Sequence, residues 1–83
     1  MSKRLYVGNL SYRTTEDGLE GLFSEAGSVE SVAVITDRMT GRSKGFGFIE
    51  METEEGAKKA IELFDNRDFD GRNLRVNEAR PRS

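Results

Sequence analysis

Apolar residues in this chain of 83 residues follow two spacings in turn, and the order of those spacings restricts the fold more than any other feature. Four segments have the alternation or the β-branched content of strands: "RLYVGNL" (4–10), "SVESVAVIT" (28–36), "KGFGFIEM" (44–51) and "RNLRVNEA" (72–79). Two further segments repeat apolar residues at i, i+3, i+4 and i+7, which predicts helices. They are Leu19, Leu22, Phe23 and Ala26, then Ala57, Ala60, Ile61 and Phe64.

The resulting order is βαββαβ, and residues 1–83 are predicted to form one domain without a linker or repeat. This order predicts an α+β fold, a ferredoxin-like sandwich in which a four-stranded antiparallel sheet carries two helices on one face. The other face of such a sheet is open to water, so it should be polar unless it binds a ligand.

Polar residues mark the ends of the predicted elements. Thr14 followed by Asp17 resembles a capping box and predicts the start of the first helix, and Gly27 is a candidate stop. Thr53 is the predicted cap of the second helix. The "DNRDFDG" segment (65–71) contains two turn signals, so a turn is expected before the last strand.

Alternation along each strand separates a core side from an open side. In the third strand, Gly45, Gly47, Ile49 and Met51 share the core side, where the glycines are expected to leave room for a helix. The other core-side residues are predicted to be Leu5, Val7, Val32, Val34, Leu74 and Val76. The open side then carries Tyr6, Phe46 and Phe48, together with Ser31, Ala33, Ile35, Lys44, Glu50, Arg75 and Asn77.

The three rings on the open side predict a binding surface. A clustered apolar patch on a small domain usually marks an interaction site. Rings that lie exposed beside cations suit unstacked nucleotide bases, because every base has a π-face and the cations can meet phosphates.

Charge and composition exclude several classes of function. The net charge is −2, but acidic residues concentrate in 15–35 and 51–66, so one side of the fold can still be positive. The chain has no His and no Cys, which removes the commonest general base and metal ligands. We therefore predict no enzyme, no catalytic residue, no metal and no cofactor. The opening "MSKRLYVGNL" has no long apolar run, which predicts a cytoplasmic location and no membrane span.

Two motifs resemble the signatures of a known family, the RNA recognition motif. "KGFGFIEM" is similar to its octapeptide, and "LYVGNL" (5–10) is similar to its second signature, at the family's separation. The resemblance covers essentially the whole chain and is closest to small bacterial members with a single motif. Met51 departs from the family pattern, which has an aromatic residue there, but alternation places it in the core.

The resemblance implies single-stranded RNA as the partner. By position, it assigns base stacking to Tyr6, Phe46 and Phe48, and phosphate contact to Lys44. Four further residues occupy positions where many members of the family, but not all, contact RNA: Arg42, Arg75, Asn77 and Arg80. We expect a monomer that takes no small-molecule substrate, and stacking alone does not exclude single-stranded DNA.

Other interpretations of the same residues stay open at this point. The exposed rings could serve a protein-interaction module that uses the same sheet face. Glu50 and Arg75 could form only a surface ion pair. A small enzyme of ferredoxin-like fold is disfavoured by the missing His and Cys.

Overall fold

A computed structural model describes residues 3–79 of the chain. The strands are β1 (Arg4–Gly8), β2 (Val29–Thr36), β3 (Ser43–Met51), β4 (Asp68–Phe69), β5 (Arg72–Asn73) and β6 (Arg75–Glu78). The helices are α1 (Glu16–Phe23) and α2 (Glu54–Phe64). The predicted ferredoxin-like order is confirmed, with one small hairpin, β4–β5, added before the last strand.

The main sheet has the order β2-β3-β1-β6, and every neighbouring pair is antiparallel. The two strands that carry the family-like motifs, β1 and β3, therefore lie side by side in the middle. Both helices pack on one face, α1 against β2 and α2 against β3 and β6. Phe23 and Phe64 join the two helices in the core, with ring centroids 4.8 Å apart.

The predicted core side of the strands is confirmed. Leu5, Val7, Ile49, Met51, Leu74 and Val76 are fully buried. Val32 and Val34 are partly buried and pack against this core. Met51 accordingly contributes to packing under the helices and lies away from the open face.

Acidic side chains protect both edges of the sheet. Glu16, in the first turn of α1, accepts a hydrogen bond at 3.0 Å from the backbone N–H of Val34 in β2. Asp65, at the end of α2, accepts one at 3.0 Å from the backbone N–H of Val76 in β6. Unpaired edge N–H groups can template pairing with another chain, so these bonds blunt the two edges.

The helix starts were predicted correctly for α2 and wrongly for α1. Thr53 caps α2 and accepts a hydrogen bond from the N–H of Gly56 at 2.9 Å. The cap of α1 is Thr15, whose hydroxyl accepts from the N–H of Gly18 at 3.1 Å. Thr14 is instead buried and donates a hydrogen bond to Asp70 at 2.9 Å. A contact with a residue so distant in sequence outweighed the local capping pattern.

The first helix also ends earlier than its apolar spacing predicts. Regular α-helix stops at Phe23, and the backbone then tightens, with the N–H of Ala26 bonded to the carbonyl of Phe23 at 3.0 Å. Ala26 is still buried in the core. Two glycines inside an eight-residue helix are consistent with this short length.

The predicted last strand is divided at Leu74. Residues 72–73 pair with 68–69 in the β4–β5 hairpin, whereas residues 75–78 pair with β1. Asp70 and Gly71 both have positive φ angles, 53° and 84°, as a type I′ hairpin turn requires. Of the two turn signals in "DNRDFDG", the one at Asp70-Gly71 is therefore confirmed as a hairpin turn.

The expected role of the β3 glycines in helix clearance is wrong. A Cβ on Gly47 would overlap the carbonyl oxygen of Ala33 and lie 3.2 Å from the Cα of Val34, both in β2. Gly47 thus permits close approach of a neighbouring strand. Gly45 has a φ of 87°, a left-handed conformation that favours glycine, and lies where the pairing of β3 with β2 becomes irregular.

Candidate nucleic-acid interface

Three aromatic rings form a triangle at the centre of the open sheet face. The Tyr6 centroid lies 5.9 Å from that of Phe46 and 6.0 Å from that of Phe48, and the two phenylalanines are 6.1 Å apart. All three rings are half-buried, and both helices of the described residues 3–79 pack on the other face of the sheet. The rings face one another because Tyr6 on β1 pairs directly with Phe48 on β3.

Gly8 determines how Tyr6 lies on the sheet. Tyr6 and Gly8 are two residues apart on β1, so they share the open face. A Cβ on Gly8 would lie 2.6 Å from the Tyr6 hydroxyl oxygen and 2.7 Å from its Cε2. The tyrosine ring therefore lies along the strand, over the glycine, and its plane is inclined by 29° to that of Phe46.

Arg4 is a cation on this face that the sequence analysis missed. Its guanidinium carbon lies 4.7 Å from the centroid of the Phe48 ring, within cation–π range. Alternation along β1 puts Arg4 on the same side as Tyr6, so the signal was present in the sequence. Arg4 pairs with Glu50 across the strands.

The ion pair considered between Glu50 and Arg75 is wrong. Arg75 lies opposite Gly8, at the other end of β1 from the partner of Glu50. Its guanidinium instead donates a hydrogen bond to the side-chain oxygen of Asn66 at 3.2 Å. Asn66 follows α2, so this bond holds the arginine beside the end of that helix.

Asn77 continues the row of open-face residues. It is exposed and pairs with Tyr6 across β1 and β6, so the row reads Ala33, Phe48, Tyr6, Asn77 across the sheet. Arg80 lies outside the described residues.

Arg42, in the β2–β3 loop, and Lys44, at the start of β3, lie beside the ring cluster. The Asp37 carboxylate accepts hydrogen bonds from the N–H groups of Met39 (2.7 Å) and Thr40 (3.3 Å). The backbone N–H of Asp37 also bonds the carbonyl of Arg42 at 2.7 Å and closes the loop. Both cations are exposed and line a groove with Phe46.

Tyr12 is a further aromatic residue near this face, and the sequence analysis did not identify it as a candidate. Its side chain is 71% exposed, in the loop between β1 and α1, and it lines the same groove as Phe46. The available signal was an aromatic residue among the polar residues 11–17, between the first strand and the first helix.

The helices form an acidic side away from this face. The first turns of α1 and α2 hold Glu16, Asp17, Glu54 and Glu55, on the opposite side of the sheet from the rings. Within residues 3–79, no group of three or more acidic side chains is arranged to hold a metal ion. In the same range, no helix has the length and apolar character needed to cross a membrane.

A family model described as the RNA recognition motif matches residues 5–75. A putative RNA-binding protein of Nostoc sp., RbpE, is 54% identical over 78 residues, which cover 94% of this chain and 79% of that protein. A chloroplast 28 kDa ribonucleoprotein of Spinacia oleracea is 52% identical over 79 residues, covering 95% of this chain and 34% of the relative.

Solved structures agree with these sequence matches. The crystal structure of the RNA-binding protein PG1 superposes with a TM-score of 0.92 at 54% identity, covering 99% of both chains. An Rna15 domain with bound GU RNA superposes with a TM-score of 0.86 at 30% identity, covering 95% of this chain and 84% of that one.

Proposed function

Because the chain belongs to the RNA recognition motif family, we propose that it binds single-stranded RNA on the open face of its sheet. Bases stack on Tyr6, Phe46 and Phe48, and the cations around these rings neutralise phosphates. The observation that carries the proposal is the triangle of three half-exposed rings, each about 6 Å from the other two, on the sheet face opposite α1 and α2.

The spacing of the rings suits adjacent bases of one strand. Each of the three side chains is partly exposed, and covering exposed apolar area with a base contributes roughly 25 cal/mol per Å². Base–aromatic stacking is worth about 1–3 kcal/mol per base. Two or three stacked bases therefore support an affinity on the order of micromolar, which corresponds to about −8 kcal/mol.

Phosphate contacts belong to the cations at the rim. Lys44 and Arg42 lie at the β3 side of the rings, and Arg75 lies at the β6 side with Asn77 beside it. Arg80, one residue beyond the described part, is included by its position in the family pattern. Single-stranded DNA is expected to bind the same rings, because stacking does not read the 2′-hydroxyl group.

The test is the double substitution Phe46→Ala with Phe48→Ala, measured by fluorescence anisotropy with labelled oligouridylate. We expect a loss of affinity of at least tenfold, from the stacking energy of one base or more. Leu63→Ala on α2 is the control, because Leu63 is exposed on the helix side. Unchanged RNA binding by a folded double variant would refute the stacking proposal.

The same face could instead contact a protein. An RNA titration followed by backbone NMR shifts distinguishes these two uses. Shifts that map to β1 and β3 support RNA binding, and no shift at millimolar RNA would favour a protein partner. The proposal also includes a monomeric, non-enzymatic protein in the cytoplasm that takes no small-molecule substrate. Sedimentation of the pure protein tests the monomeric state, and cell fractionation tests the cytoplasmic location.

A further inference from the structure

A groove leads from the ring cluster to the edge of the molecule, between the β1–α1 loop and the β2–β3 loop. Tyr12 stands on one side, and residues 40–44 form the other side and the floor together with Phe46 and Asp37. Phe46 belongs both to this groove and to the ring triangle, so the groove continues the candidate interface without a break.

Tyr12 is held beside the groove although it is exposed. The N–H of Leu10 donates to the carbonyl of Gly45 at 2.8 Å, and the N–H of Thr14 donates to the carbonyl of Ser11 at 3.0 Å. Thr14 is further anchored by its bond to the Asp70 side chain. The loop is therefore fixed on both sides of the tyrosine.

The Tyr12 ring lies beside the β3 backbone at Gly45. A Cβ at Gly45 would be in ordinary van der Waals contact with Cε1 of Tyr12, at 3.9 Å, so the ring edge lies close to β3 without being obstructed there. The face of the ring that the protein does not cover is available for stacking. A large ring that is 71% exposed on an anchored loop has no contribution to the core that would account for it.

The charge of the groove suits a polyanion. Its charged lining residues are the cations Arg42 and Lys44 and the carboxylate of Asp37. Two backbone N–H groups already bond that carboxylate. Among residues 3–79, the side chains of Arg42 and Lys44 have no hydrogen-bond or ion-pair partner, so both can turn toward a phosphate.

We propose that this groove is an additional nucleotide subsite, in which a base beyond those on the three central rings stacks on Tyr12 while Arg42 and Lys44 hold its phosphates. The proposal rests on RNA binding by the sheet face. It places the strand across Phe46 and into the groove, so the added base occupies one end of the bound segment.

The experiment compares tri-, tetra- and pentauridylate binding to the wild type, Tyr12→Ala and Tyr12→Phe by fluorescence anisotropy. Lengthening the RNA should strengthen wild-type binding, and Tyr12→Ala should weaken binding of the longer oligomers about five- to tenfold, the lower part of the range for one stacked base. Trimer binding should not change. Tyr12→Phe retains the ring and should bind like the wild type.

Met39→Ala is the matched control, because Met39 is 93% exposed in the same β2–β3 loop but does not line the groove. If Tyr12→Ala binds every length like the wild type while the Phe46/Phe48 double variant does not, the subsite is refuted and RNA binding by the sheet stands. An equal loss at all lengths, trimer included, also refutes an additional subsite. If the double variant itself binds normally, the proposed function fails first.

Discussion

Gly8→Ala and Gly47→Ala add the same methyl group to neighbouring strands, but we expect opposite consequences. At Gly8, the new Cβ would lie between 2.6 and 2.9 Å from three atoms at the far end of the Tyr6 ring. At Gly47, it would overlap the carbonyl oxygen of Ala33 in β2. A tyrosine ring can rotate away, whereas two paired strands cannot separate locally without losing hydrogen bonds of the ladder.

The structure sets the magnitudes. For Gly8→Ala, moving the Tyr6 ring from its rotamer costs about 0.5–1.5 kcal/mol. Replacing glycine by alanine also lowers the conformational entropy of the unfolded chain, which stabilises the folded state by about 0.4–1 kcal/mol. The two effects largely cancel, so the free energy of unfolding should change by less than about 1 kcal/mol. RNA binding should fall about 5- to 150-fold, the equivalent of one stacked base.

For Gly47→Ala, overpacking against the β2 backbone should lower the free energy of unfolding by about 1–3 kcal/mol. In a domain of this size, each kcal/mol corresponds to roughly 4–8 °C in Tm. The variant should therefore melt measurably below the wild type. Its folded fraction should still bind RNA, because Gly47 lies on the side of β3 that faces away from the rings.

The assays are thermal unfolding by circular dichroism and anisotropy with labelled oligouridylate, with Tyr6→Ala as the reference for complete loss of that ring. The expected result is that Gly8→Ala resembles Tyr6→Ala in RNA affinity and the wild type in Tm. Two results would refute the reasoning: a Tm for Gly8→Ala as low as that of Gly47→Ala, or RNA affinity for Gly8→Ala equal to that of the wild type.

Three further outcomes are expected. The logarithm of RNA affinity should fall with the logarithm of salt concentration at a slope of roughly −2 to −3, and Lys44→Gln should reduce that slope by about 0.7, measured by anisotropy in a salt series. Thr15→Ala should lower the free energy of urea unfolding by about 1 kcal/mol through loss of the α1 cap; an unchanged midpoint would contradict that assignment. Gly45→Ala should cost about 1–2 kcal/mol because its φ is 87°, whereas a variant as stable as the wild type would mean that the strand relaxes.

Local patterns in the sequence were sufficient for the element order and for the two faces of each strand. Side chains alternate along any strand, so Ile49 and Met51 had to share one face and Phe46 and Phe48 the other. This rule needs no knowledge of neighbouring elements, and the burial of the core residues confirms it. The same rule would also have placed Arg4 beside Tyr6 on the open face.

Errors arose where a residue serves a partner distant in sequence. Thr14 has the local pattern of a helix cap, but its bond to Asp70 in the β4–β5 hairpin takes it into the interior, and Thr15 becomes the cap. The α1 helix stops at Phe23 although its apolar spacing continues to Ala26, since a buried side chain needs only the correct position and not a helical backbone.

The sequence by itself determined that two phenylalanines and a tyrosine would point away from the helices. The tertiary structure alone decided that these rings meet within about 6 Å, because only the pairing of β1 with β3 brings Tyr6 opposite Phe48. It also decided that Gly47 accommodates a strand rather than a helix, and that Tyr12 shares a groove with Phe46. Alternation is a property of one strand, whereas distances between strands and loops depend on how the whole chain packs.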